Sequence, residues 1–177
     1  LGTGWLGASL AQRFVSQGYE VHASTRSTQC HDQLRQQHIT PYVIDIDQLD
    51  ISSEHNAFFN SPVLIINIPS KNIEGFQKLQ KIISASPIQH ILFISSTSVY
   101  RNANRLITED DEDALNLNNP LLAIEQLFII DTTVHTSVIR FGGLIGNGRN
   151  PARFFSTGKT LSTPNAHVNL IHHDDCI

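Results

Sequence analysis

The chain has 177 residues, 40% of them hydrophobic and 16% charged, with a formal net charge of -4. That is one domain's worth of sequence with enough apolar side chains to bury a core. The acidic balance lacks the basic footprint of a nucleic-acid binder, and no apolar run approaches a membrane span. Cys30 and Cys176 make no disulfide framework and stand at no metal-ligand spacing. Reduced thiols, no metal and a cytoplasmic protein without a secretion signal are therefore the expectation.

The chain opens on Leu1-Gly2-Thr3-Gly4-Trp5-Leu6-Gly7, a G-x-G-x-x-G run. A run of this kind is often only a turn, so its context decides what it means. Residues 8–18 follow with helical spacing, placing Leu6, Leu10, Ala11, Phe14 and Val15 on one side, and Gly18 stands where a helix C-terminal glycine belongs. Residues 19–24 then alternate like a strand. Loop, helix, turn and strand in this order are the setting of a dinucleotide-binding loop. Gly2 permits the tight turn, and Gly4 lets the amides of the Gly4-Trp5-Leu6 stretch approach a pyrophosphate. Gly7 lets the helix lie close to the sheet, and the helix N-terminus faces the anion with free N–H groups.

The second strand ends in Ser24-Thr25-Arg26-Ser27. An NAD-preferring protein places an acid here for the ribose 2′-hydroxyl. Thr25 and Arg26 instead suit a 2′-phosphate, so NADP is the expected coenzyme, with NAD as the alternative. The competing reading makes Arg26 a solvated surface residue. Residues 28–38 read as a weak surface helix stopped by Pro41, and residues 42–47 as a third strand. Asp45 and Asp47 close that strand as acids. Residues 48–60 hold a short helix or a loop.

Residues 62–69 form an apolar run expected of a central parallel strand covered on both faces. It breaks at Asn67, Ile68 and Pro69, at the carboxyl end where α/β ligands bind, which makes these three coenzyme-site candidates. Ile73, Phe76, Leu79, Ile82 and Ile83 recur at helical spacing over residues 72–86, and Pro87 ends that helix. A further buried strand, residues 91–94, leads into Ser95-Ser96-Thr97-Ser98-Val99-Tyr100. Hydroxyls concentrated at a strand's end point to chemistry; alternatively they end the strand by bonding local backbone.

Residues 101–119 are polar and acidic, as in a solvated loop. A helix is expected over 121–130 with Pro120 in its first turn. A strand follows over 137–141, then a second glycine-rich loop from Gly142 to Arg149, and a short strand over 167–172. Gly146 and Gly148 shape that loop near the nicotinamide end rather than bind another phosphate. Strands alternating with helices and no internal repeat indicate one doubly wound parallel α/β sheet, a Rossmann fold occupying all of 1–177. Only Leu1 precedes the first glycine, no methionine occurs, and the chain stops at residues 173–177 as a helix is about to begin. We therefore expect a fragment truncated at both ends. Adjacent side chains of His172, His173, Asp174 and Asp175 point to opposite strand faces, so the acids are read as helix caps, not metal ligands.

Four stretches, Gly2 to Gly7, Ser95 to Tyr100, Val138 to Gly143 with Gly146 to Arg149, and Val168 to Asp175, occur in this order over nearly the whole chain. Together they resemble the extended short-chain dehydrogenase/reductase superfamily in its NAD(P)-dependent epimerase/dehydratase branch. The resemblance implies a catalytic serine, a tyrosine and a lysine four residues after it. The tyrosine exchanges a proton with substrate while hydride passes to or from nicotinamide. Ser96 matches the family serine and Ser98 lies beside it. The resemblance also implies that Asp45, with Asp47 an equal candidate, reaches the adenine edge as the acid after the third strand does in relatives. The tyrosine–lysine pair should open the helix within residues 116–126, where neither residue type occurs. Tyr100 is the last tyrosine, with Asn104 four residues beyond it, and Lys159 is the only later lysine. The chain thus looks like an atypical member that keeps the coenzyme loop and lacks the pair. One expectation is an oxidoreductase, epimerase or dehydratase acting on a sugar nucleotide or small carbonyl compound. The other is a non-catalytic NADP(H)-binding regulator. Substrate contacts in this branch come largely from a C-terminal part, and homodimers built through two helices are common among members.

Overall fold

The computed structural model describes residues 1–49, 57–102, 105–154 and 167–177. Helix α1 (Trp5–Ser16) begins directly on the glycine run and ends in a Schellman turn. Gly18, at φ +86°, donates to the Val15 carbonyl at 2.9 Å, and Tyr19 donates to Phe14 at 3.1 Å. The Phe14 and Tyr19 rings close the motif at 5.5 Å. This turn sends the chain back along the sheet as β1 (Val21–Thr25).

Strand β1 pairs in parallel with β2 (Ile39–Val43), and a second parallel sheet has the order β3 (Val63–Ile66), β4 (His90–Ser96), β5 (His135–Phe141). Main-chain bonds from residues 1–3 stitch the two sheets together. Leu1 donates to Ile65 at 2.6 Å and accepts from Asn67 at 2.8 Å, while Thr3 donates to Ser24 at 2.9 Å. A third pair, β6 (Gly143–Ile145) and β7 (Leu170–His172), is also parallel. Every pairing between named strands is parallel, as the alternation of strands and helices predicts.

Helices α2 (His31–Gln36), α3 (Ile73–Ser84) and α4 (Pro120–Ile129) complete the layers. One apolar cluster joins Ala11 of α1, Ala23 of β1, Leu34 of α2 and Ile39 of β2. The larger core sets Phe76, Leu79 and Ile83 of α3 and Ile124 and Phe128 of α4 against Leu64, Ile66, Ile91 and Phe93 of the central strands. Asn72 caps α3 by accepting from the Gly75 amide at 3.1 Å, and Pro120 takes the first position of α4 behind the Asn119 cap.

Several sequence expectations are corrected. Pro41 lies inside β2, which ends at Val43, whereas the strand was expected over 42–47. Ile39 is 1% exposed and anchors the strand start, and an outer strand tolerates a residue without an N–H. The helix expected over 28–38 is a 3-10 turn (Thr28–Cys30) followed by the short α2. Residues 105–115 are held together: Arg105 pairs with Asp111 and Asp113, a 3-10 turn spans Glu112–Ala114, and Leu115 bridges to Tyr100. The final turn (His173–Cys176) is capped by His172, whose ring nitrogen accepts from the Asp174 amide at 3.3 Å. Asp174 and Asp175 sit inside that turn, two and three residues beyond the cap position. Part of the segment 48–60, together with Asn104 and Lys159, lies outside the described residues.

Candidate coenzyme site

The glycine run folds as its spacing demands. Gly2, at φ +94°, lies against Asn67, and a methyl group on it would meet the Asn67 carbonyl. A methyl group on Gly7 would meet the Gly2 carbonyl. Gly4 differs, because the space where its Cβ would stand is open to 4 Å. Two glycines thus serve close packing and the middle one leaves room for a ligand. The amides of Gly4, Trp5, Leu6 and Gly7 find no acceptor among the described residues, and no side chain caps α1. Free N–H groups around an open hollow at a helix N-terminus are the donor set a diphosphate requires. The Leu6 side chain is buried, so that residue offers its amide alone, and the Trp5 indole donates to the Asn147 carbonyl at 2.8 Å.

Buried Ser24 supports the loop from below. Its hydroxyl accepts from the Gly2 amide at 2.8 Å and its carbonyl from Thr3. Asn67 supports it from β3, donating its side-chain amide to the Gly2 carbonyl at 3.3 Å. Asn67 therefore shapes the loop, while Ile68 is drawn partly into the core and Pro69 stays exposed. Thr25 binds within its own turn, donating to the Ser27 carbonyl at 2.7 Å with the His31 ring 3.0 Å away. Beyond it Arg26 is exposed, with no ion pair among the described residues. Asp45 accepts from the Asp47 amide at 3.0 Å, and Asp47 accepts from the Asn72 side chain at 2.9 Å. Both carboxylates brace this corner.

At the end of β4, the Ser96 hydroxyl oxygen accepts from the Ser98 amide at 3.1 Å, so the local-backbone reading holds for its acceptor side. The side chains bonded to this turn are amides: Asn119 donates to the Ser98 carbonyl at 2.6 Å, and Asn169 to the Thr97 hydroxyl at 3.4 Å. Amides orient an oxygen but do not exchange its proton.

Behind the serines lies a buried charge pair that sequence reading missed. Glu125 of α4 is 0% exposed and accepts from Arg140 of β5 at 2.7 Å, with further bonds at 3.2 Å, and from the Ser95 hydroxyl. Arg140 also donates to the Tyr100 hydroxyl at 2.5 Å and lies over its ring. Bonding to Glu125 holds the Arg140 guanidinium above its usual pKa. The signal was present in the sequence: Glu125 is the one acid or base in α4, and Arg140 is the one Asp, Glu, Lys or Arg in β5, set between Ile139 and Phe141.

The parallel sheet, the glycine hollow and the helix behind it define a dinucleotide-binding α/β protein. Residues 2–123 match the NAD dependent epimerase/dehydratase family, and the chain belongs to it. It is 29% identical over 189 aligned residues to the protein YeeZ of Escherichia coli K12, covering 100% of this chain and 69% of YeeZ. Among solved structures it resembles a conserved protein of unknown function from Silicibacter pomeroyi, with TM-score 0.74 and 18% identity, over 98% of this chain and 62% of that one. It also resembles the UDP-glucuronic acid 4-epimerase of Bacillus cereus, solved with UDP-glucuronic acid and NAD. The TM-score there is 0.74 at 17% identity, over 98% of this chain and 68% of that one. These structural likenesses carry the fold. No helix among the described residues is long and apolar enough to cross a membrane.

Proposed function

We propose that this chain is the coenzyme-binding part of an NADP(H)-dependent oxidoreductase, epimerase or dehydratase acting on a sugar nucleotide or small carbonyl compound. The observation that carries the coenzyme reading is the contrast among the glycines. Gly2 and Gly7 are sealed against neighbours, while Gly4 opens onto unpaired amides. The NADP preference rests on Arg26, an exposed cation beyond β1 where no acid competes for the ribose. The bound coenzyme would supply or accept hydride. Ser96 would orient the substrate oxygen through its hydroxyl proton, with Ser98 beside it.

One observation favours a second reading, a non-catalytic NADP(H)-responsive regulator. Helix α4 opens with Pro120, Leu121 and Leu122, and the Tyr100 hydroxyl is engaged by Arg140. A tyrosine–lysine proton relay is thus missing from its family position. Leucine cannot transfer a proton in its place.

Calorimetric titration of the full-length protein with NADPH and NADH tests the coenzyme reading. We expect Arg26→Ala to weaken NADPH much more than NADH; equal losses would refute the NADP preference. Transfer of deuterium from 4-deuterated NADPH to a panel of nucleotide sugars and small carbonyl compounds separates enzyme from regulator. Tight binding without transfer to any of them would favour the regulator.

A further inference from the structure

Trp5 joins the first glycine loop to the second. Its indole N–H donates to the Asn147 carbonyl at 2.8 Å, and the buried His173 ring packs edge-on at 4.6 Å. The guanidinium of Arg149 lies over the indole, 4.1 Å from the ring centre. The loop that presents Arg149 is itself closed, since Gly146 and Arg149 exchange main-chain hydrogen bonds at 3.0 and 2.8 Å. Gly146 and Gly148 take φ of +90° and +81° and Asn147 takes +40°, a tight turn that only such residues adopt readily.

Arg149 is exposed, and among the described residues its guanidinium has no carboxylate and no hydrogen-bond partner. An unpaired surface arginine is ordinarily free to move through solvent. This one lies over the ring of the residue that opens α1, whose main-chain amide, like those of Gly4 and Leu6, has no acceptor among the described residues. A guanidinium held over a ring face by cation–π attraction spends none of its N–H groups in hydrogen bonds, so they remain available to an anion. The result is a second set of donors of the same sign, on a separate loop, anchored to the first.

We propose that Arg149 is a ligand of the coenzyme's diphosphate, reaching it from the second glycine loop while Trp5 acts as the positioning residue that holds the guanidinium there. This inference rests on the coenzyme reading above. The diphosphate is the fitting phosphate because Arg149 is tied to the first turn of α1. The 2′-phosphate position lies with Arg26 at the end of β1. The second glycine loop thereby has a charge to contribute, beyond shaping the nicotinamide end.

The test is calorimetry on the full-length protein, wild type and Arg149→Ala, with NADPH, NADH and AMP as titrants. Both coenzymes should weaken by the same factor, about tenfold to a hundredfold, as expected for losing charge-assisted hydrogen bonds. AMP, which lacks the diphosphate, should be unaffected. Arg149→Lys should restore part of the affinity, and the salt dependence of NADPH binding should flatten in Arg149→Ala. Arg149 is exposed, so the coenzyme-free variant should unfold at the wild-type midpoint. Unchanged coenzyme affinity in Arg149→Ala, or a loss confined to NADPH, would overturn the assignment. Failure of the wild type to bind either coenzyme would overturn the underlying reading as well, and is distinguishable from both.

Discussion

Gly2 and Asn67 are in contact through absence: the side chain that Gly2 lacks would stand on the Asn67 main-chain oxygen. Asn67 also donates its side-chain amide to the Gly2 carbonyl and its main-chain N–H to Leu1. The end of β3 and the start of the glycine run are therefore one structural unit. Gly2→Ala, at φ +94°, meets both a backbone penalty and a collision. It should cost about 2–4 kcal/mol in urea denaturation. Gly4→Ala meets neither, so its stability should stay within about 1 kcal/mol of wild type while coenzyme affinity falls. Equal destabilisation by the two substitutions would contradict the division of roles.

The pair Glu125–Arg140 makes a second prediction. Arg140→Met leaves a fully buried carboxylate with only the Ser95 hydroxyl for support. Breaking such a pair from one side costs about 3–5 kcal/mol, whereas replacing both partners with apolar residues is often nearly neutral. The double variant Glu125→Leu with Arg140→Met should therefore be more stable than Arg140→Met alone. Additive losses in denaturant titrations would show that the charges are not coupled.

Asp131 links the end of α3 to the turn before β5. The Thr133 hydroxyl, the Ser84 hydroxyl and the Thr133 amide bind its carboxylate, with Gln80 adding a bond at 2.6 Å. These donors lower its pKa from 3.8 to about 2. Because the folded state holds the proton less readily than the unfolded chain, this contribution is complete above about pH 4 and is lost as pH falls toward 2. Asp131→Asn should lower stability at neutral pH by about 1–2 kcal/mol. It should also flatten the acid limb of a stability–pH profile. An acid limb identical to wild type would exclude this role.

Trp5 is the only tryptophan in these 177 residues, so among them its emission reports on the glycine loop. Coenzyme bound at the Gly4 hollow should quench that emission and, with NADPH, sensitise the reduced nicotinamide. Gly4→Val, which fills the hollow, should abolish the response while leaving the coenzyme-free spectrum unchanged. A full response in Gly4→Val would place the coenzyme elsewhere.

Local chemistry made much of this protein legible in the sequence. Helix α1, its Gly18 turn, α3 and the Pro120 start of α4 follow from spacing and helix-end signals within a few residues. The class of fold and the glycine loop follow as well, because each is encoded in contiguous sequence. Tertiary structure alone decided what depends on residues far apart in the chain. It gave Asn67 to Gly2, set Asp47 against Asn72, and paired Glu125 with Arg140. Arg149 reached Trp5 in the same way, across more than a hundred residues that no periodicity spans. Periodicity reports which face of an element is buried; which partner that face meets is fixed only when parallel strands bring their carboxyl ends into one row.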